Sequence, residues 1–196
     1  AVLGEVTDVI LTHLHYDHGG GICRASTDQA KSIPESDPWA LVYPHAVHHL
    51  QQAHWDYVQD PHPREKAAFR PEVTALLKTA KHNLALDGTE ILPGITVHRT
   101  DGHTVGMQYV VIRDGGITVA FPVDLVPTAH HLPLHYGMGY DQSAQLVTDE
   151  KTVLLNRAVD EGWILVFSHD PDIAAATVAR DARGRFAIKD RIGLLG

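Results

Sequence analysis

The run Val6-Thr7-Asp8-Val9-Ile10-Leu11-Thr12-His13-Leu14-His15-Tyr16-Asp17-His18-Gly19-Gly20-Gly21 joins a β-rich apolar segment directly to a block of imidazoles and a carboxylate. Val6 to Thr12 is a short apolar stretch and is expected to be a buried strand. The polar block that follows then falls in a loop at a strand end. Within it, His13, His15, Asp17 and His18 stand inside six residues. In an extended loop alternate side chains share a side, so His13, His15 and Asp17 can face one way. His18 faces the other way unless the backbone bends, and the glycines after it permit a bend. Neutral imidazole and carboxylate suit zinc, iron, nickel or manganese, and a loop of this kind can serve two adjacent ions. The cluster contains no cysteine, which argues against a purely structural zinc site.

Three later positions extend the set. His103 lies in Gly102-His103-Thr104-Val105-Gly106 after a strand-like run. Asp124 follows Val119-Ala120-Phe121, and His169 ends the apolar run Trp163 to Phe167. Each lies just past a strand end, where loops converge on a sheet edge and sites tend to form. Any one of them alone would be read as a surface or capping group.

The rest of the composition narrows the class. The chain has 196 residues, a net charge of −8 and 15 histidines against 16 Lys and Arg together. The acidic balance disfavours a nucleic-acid binder, which needs a basic footprint. A single cysteine, Cys23, excludes an internal disulfide framework. No apolar run approaches the ~20 residues of a membrane span, and no signal-peptide pattern opens the chain. The expectation is a soluble, cytoplasmic protein with a small-molecule substrate, no nucleic-acid partner and no membrane partner.

Along the chain, residues 24 to 38 are expected to form a surface loop, and Trp39 to Tyr43 a strand. Apolar spacing predicts a helix over Ala46 to Val58, and another over Arg64 to Ala80 that Pro71 breaks or restarts. Strands are expected at Glu90 to Leu92, Ile95 to Thr100, Met107 to Arg113 and Ile117 to Phe121, with a hairpin turn at Asp114-Gly115-Gly116. Gln145 to Glu161 has the strongest helical pattern, followed by strands at Trp163 to Phe167 and Arg185 to Lys189. Ala1-Val2-Leu3-Gly4 reads as the last turn of a helix closed by glycine.

His13-x-His15-x-Asp17-His18, then His103 in Gly-His-Thr-x-Gly, then Asp124, then His169, resembles the metallo-β-lactamase-fold hydrolase superfamily. The resemblance runs in order along nearly the whole chain. It implies an α+β fold, a four-layer αββα sandwich, here in a single domain over 1–196 with a cap-like insertion around 22–82. It implies two divalent metal ions, with zinc as the first expectation and Fe, Mn, Co or Ni also compatible. His13, His15 and His103 would bind one ion, Asp17, His18 and His169 the other, and Asp124 would bridge them. Members usually carry a β-rich segment before the motif, so the chain reads as lacking its N-terminal part. The surface so exposed would suit a homo-oligomer or a chain that supplies the missing portion. Val105 stands where proline is frequent. Pro127 stands where acyl-homoserine-lactone lactonases have tyrosine, which sets the chain apart from them at that position.

What the resemblance implies chemically is hydrolysis by a hydroxide bridging two metals, with Asp17 and Asp124 as the catalytic carboxylates. Carboxylic esters or lactones are the expected substrates, with promiscuity toward phosphotriesters. Alternatives are a glyoxalase-II-like thioester hydrolase, weakly favoured by Arg180, Arg183 and Arg185, a β-lactamase, an iron-dependent sulfur oxidation, and an inactive metal-binding fragment. Around the site, His130, His131, Tyr136 and Tyr140 are candidates for orienting ligands or substrate. Most of His45, His48, His49, His54 and His62, with Trp39, Trp55 and Phe69, are expected to pack the cap, an apolar substrate wall being the alternative for the three aromatic residues.

Overall fold

The strand entering the histidine block forms as expected, but is short. In the computed structural model, which describes residues 3–25 and 39–193, it covers only β1 (Asp8–Ile10). Ahead of it Leu3–Glu5 make one 3-10 turn, and Ala1 and Val2 of the expected helix tail lie outside the described residues. So does most of the expected loop at 24 to 38. Its first residues instead belong to β2 (Cys23–Ala25), which pairs antiparallel with β3 (Trp39–Leu41).

The chain divides into two compact units, Ala1–Ala85 and Leu86–Gly196. In the first, β4 (Val47–Gln51) is followed at once by α1 (Gln52–Tyr57), and α2 (Pro71–Thr79) by β5 (His82–Ala85). The sheet order is β1-β4-β5, parallel throughout. The helix expected over Ala46 to Val58 is therefore corrected: its first half is the central strand. A central parallel strand is covered on both faces, so it shows a continuous buried run and not a period of two. Residues 48–51 are all buried, which matches that environment and gave the stretch its misleading helical spacing. Pro71 does restart a helix. It occupies the first turn of α2, where a missing N–H costs nothing, and Arg70 before it is extended. Leu11, Leu14, Ile22, Leu50, Val58, Val73 and Leu77 form the core of this unit, with Trp55 and Phe69 against it.

The second unit is built on β6 (Glu90–Leu92), β7 (Ile95–Thr100), β8 (Met107–Asp114), β9 (Ile117–Phe121), α3 (Ala144–Asp160), β10 (Ile164–Val166), β11 (Ala175–Arg180) and β12 (Phe186–Ile192). The strands run in the order β12-β11-β10-β9-β8-β7-β6. All pairs are antiparallel except β9 with β10, which are parallel. A parallel pair needs a crossover, and α3 provides it. Gly115 and Gly116 both have positive φ, 54° and 81°, as the tight β8–β9 hairpin requires. Met107, Val111, Leu154, Leu155, Trp163 and Leu165 are buried together between sheet and helix. The strand β11 had no clear sequence signal. Among the described residues no helix is long and apolar enough to cross a membrane.

Candidate metal centre

In the first unit the histidine block leaves β1 and curls on itself. The amides of His18 and Gly19 both donate to the His15 carbonyl, at 3.0 and 2.8 Å. The bend thus begins before the glycines. Gly19 is needed for another reason: its α-carbon sits so close to Leu14 that a Cβ would lie 2.9 Å from the Leu14 Cα. The curl brings the ring of His18 to 4.2 Å from that of His13, centroid to centroid, while His15 meets His13 edge-on at 4.6 Å. Three imidazoles and the Asp17 carboxylate, 3.5 Å from His18 Nε2, are thereby gathered on one loop. His13 and His15 are buried, whereas the Asp17 side chain is 40% exposed.

Neighbouring elements hold this loop. His54 Nε2, in α1, accepts the Leu14 amide hydrogen at 2.9 Å. The Tyr16 amide donates to Ala68 O at 2.8 Å, and His15 bridges to Phe69. Glu65 Oε1 lies 2.7 Å from His15 Nε2, and the Tyr57 hydroxyl donates to Glu65 Oε2 at 2.6 Å. Burial, reinforced by that carboxylate, pushes the Tyr57 phenol up to about 12. His48 and His49 sit in β4; His49 Nε2 is 2.6 Å from Asp8 Oδ1 and serves the sheet.

In the second unit, three loops meet at Asp124. The loop carrying His103 is clamped by α3: Glu150 accepts from the Asp101 and Gly102 amides at 2.6 and 3.0 Å. A Cβ on Gly102 would collide with the Val147 backbone, so only glycine permits this approach. Asp124 is buried and follows Val123, whose φ of 53° is rare for a β-branched residue and marks local strain. His169 is tied back by its amide to Pro127 O at 3.0 Å. Next to it the Asp170 carboxylate accepts from the amides of Ala129, Asp172 and Ile173. Burial acts to raise Asp170, but these three amides outweigh it and hold the carboxyl below its ordinary value.

The outcome is a carboxylate shared by two histidines. Asp124 Oδ2 lies 3.2 Å from His103 Nε2, and Asp124 Oδ1 lies 3.1 Å from His169 Nε2. On its other side His103 Nδ1 is 2.8 Å from Asp141 Oδ1. Burial opposes a charge on His103, but the two carboxylates outweigh it and raise the pKa to about 9. A buried imidazole fixed through Nδ1, with Nε2 turned toward a carboxylate, is the arrangement expected of a metal ligand. Such a donor set suits a divalent ion.

Of the outer candidates, His131 is occupied with Thr128 Oγ1 at 2.8 Å, and burial lowers its pKa. Tyr136 and His130 are at the surface, and Tyr140, also largely exposed, stands edge-on to His103 at 5.8 Å. The groups that do hold the loops, His54, Glu65, Tyr57, Asp141 and Glu150, are ones that sequence reasoning did not single out for that role. Asp141 alone had a signal, standing in a Gly- and Tyr-rich loop before the N-terminus of α3.

No family model matches the sequence, and no curated protein matches it. Solved structures do. A probable metal-dependent hydrolase from Staphylococcus aureus superposes with a TM-score of 0.78 at 20% identity, over 97% of this chain and 65% of that one. AidC, a dizinc quorum-quenching lactonase with a bound N-hexanoyl-homoserine product, gives 0.77 at 20% identity over 98% and 67%. The hydrolase AbOPH of the β-lactamase superfamily gives 0.76 at 18% identity over 100% and 67%. The chain thus spans about two thirds of the length of the structures it matches. At these identities the likeness is one of fold, and the chain has the fold of the metal-dependent hydrolases of the β-lactamase superfamily.

Proposed function

We propose that this chain is a dinuclear metal-dependent hydrolase that opens lactones or cleaves carboxylic esters. The observation that carries the reading is the Asp124 carboxylate, whose two oxygens each face a different histidine. A carboxylate standing between two histidines in this way could be shared by two ions. In this reading His13, His15 and His103 hold one ion, Asp17, His18 and His169 the other, and Asp124 serves both. The donors are those of a His and Asp metal site, and the lactonase among the structural neighbours is a dizinc protein. Zinc is accordingly the proposed metal.

Bound divalent ions supply Lewis acidity and bring the pKa of a water near neutrality. The chain's own part is to orient and to move a proton. In this reading Asp17, whose carboxylate is partly open to solvent and 3.5 Å from His18 Nε2, aligns the attacking water and takes its proton. Asp141 and Glu65 fix the rings of His103 and His15. Of the three arginines that weakly favoured a thioester, two are already engaged within the chain. Arg180 is spent on Gly184 O and Asn156, and Arg185 on Asp181.

Metal analysis of the purified chain tests this, with hydrolysis assayed on a lactone, an aryl ester, a phosphotriester, a thioester and a β-lactam. About two ions per chain are expected, with the highest rates on the first two substrates. Asp124→Ala is expected to lower occupancy and abolish turnover. A folded chain without metal, or a hundredfold preference for the thioester, would overturn the proposal.

A further inference from the structure

We propose that Glu65 is a positioning residue for His15, selecting which ring nitrogen His15 offers to a metal, and that Tyr57 holds Glu65 in place. The proposal rests on the reading of His15 as a ligand. One chain of contacts carries it: the part-buried Tyr57 hydroxyl donates to Glu65 Oε2 at 2.6 Å, and the buried Glu65 Oε1 lies 2.7 Å from His15 Nε2. With Nε2 engaged, Nδ1 is the nitrogen His15 has for an ion. His13 is set the opposite way, for Thr12 Oγ1 stands 3.3 Å from its Nδ1, and Nε2 is its ligand nitrogen. Two histidines separated by a single residue thus present different nitrogens, and each choice is fixed by a neighbour.

The brace is built into the backbone. Glu65 lies fifty positions beyond His15, yet its segment is docked on the ligand loop. The Tyr16 amide donates to Ala68 O, His15 bridges to Phe69, and the Phe69 ring packs 5.1 Å from that of His15. The Glu65 amide donates to His62 O at 2.9 Å, which fixes the turn that carries the carboxylate. The His62 amide in turn donates to the Tyr57 hydroxyl oxygen at 3.3 Å. A tyrosine that keeps its proton and donates it leaves Oε1 of Glu65 aimed at the ring. The Glu65 side chain is only 3% exposed and that of His15 9%, so water does not compete for either group. An ionised carboxylate behind a ligating imidazole orients the ring and raises its basicity, and losing such a partner costs about 10–100-fold in metal affinity.

The test compares wild type, Glu65→Gln, Tyr57→Phe and His15→Ala. Zinc affinity is measured by competition with a chromophoric chelator, the visible spectrum is recorded after cobalt substitution, and each metal-free chain is unfolded in urea. Glu65→Gln is expected to lose about 10–100-fold in zinc affinity and to change the cobalt spectrum, while its urea midpoint stays near wild type. Tyr57→Phe, which deletes only a hydroxyl, is expected to show the same change in smaller measure. Wild-type zinc affinity and spectrum in both variants, whatever happens to the urea midpoint, would overturn the assignment of Glu65. If His15→Ala still binds two ions as tightly as wild type, or wild type binds none, the ligand reading itself fails, and this proposal with it.

Discussion

Asp141 grips His103 from behind: Oδ1 is 2.8 Å from Nδ1, on the side of the ring opposite Asp124. The other Asp141 oxygen accepts the Met138 amide at 2.7 Å, so the carboxylate cannot swing away. Asp141→Ala is therefore expected to lower zinc affinity about 10–100-fold, and Asp141→Asn by a similar factor, since the amide has one acceptor oxygen for the two donors at Met138 N and His103 Nδ1. Chelator competition measures both. Equal affinity in the alanine variant would show that the ring is oriented by its packing alone.

Glu150 should act on the same histidine at one remove. Its carboxylate closes the loop by accepting from two consecutive amides, at Asp101 and Gly102. Removing it leaves two part-buried donors unsatisfied, a loss of about 1–3 kcal/mol for each such group. Glu150→Ala is expected to lower the urea midpoint accordingly. Gly102→Ala is expected to be at least as harmful, because its methyl group would meet the backbone of α3. A glycine-to-alanine change of neutral effect would mean that the loop can move away from the helix freely.

Much of this candidate site is legible in the sequence, because imidazoles and carboxylates rarely cluster and these come directly after apolar strands. His13 to His18 needed only the motif. The sequence shows only that the glycines after His18 permit a bend, whereas the turn closes on the His15 carbonyl and Gly19 is there for room. What escaped was everything held by contacts distant in sequence. Glu65 looks like an ordinary polar residue of a surface segment, and His54 like a residue that packs the cap, until β4, α1 and the 62–69 turn fold against the loop. The spacing of β4 reads as helical for the same reason: its place at the centre of a parallel sheet is set by pairing with β1 and β5, both distant in sequence, which local spacing cannot see.

His54 offers a direct test of such a distant contact. Its Nε2 is the acceptor for the Leu14 amide, in the middle of the His13-Leu14-His15 triplet. His54→Leu keeps the volume but removes the acceptor, stranding a buried N–H at a cost of about 1–3 kcal/mol. The metal-free variant is expected to unfold at lower urea. Zinc affinity should fall too, because the freed amide sits between the two histidines. Unchanged stability would show that the Leu14 amide has found another acceptor.

Lys151 makes stability depend on pH. It is fully buried in α3, and its ammonium donates to the carbonyls of His131, Pro133 and Tyr136. Burial lowers its pKa from 10.5 to about 8, with Asp141 pulling weakly the other way. Below about pH 8 both folded and unfolded chains carry this proton, and the cost of burying the charge is present in full. Between about pH 8 and 10.5 the folded chain has released the proton while the unfolded chain keeps it, so stability from this group rises with pH. Lys151→Met removes the titration and leaves three carbonyls without their donor. It is expected to be less stable than wild type at pH 7.5, with the gap in unfolding free energy widening at pH 9.5. A gap that stays constant would mean that the three carbonyls keep the ammonium charged across that window, offsetting its burial completely.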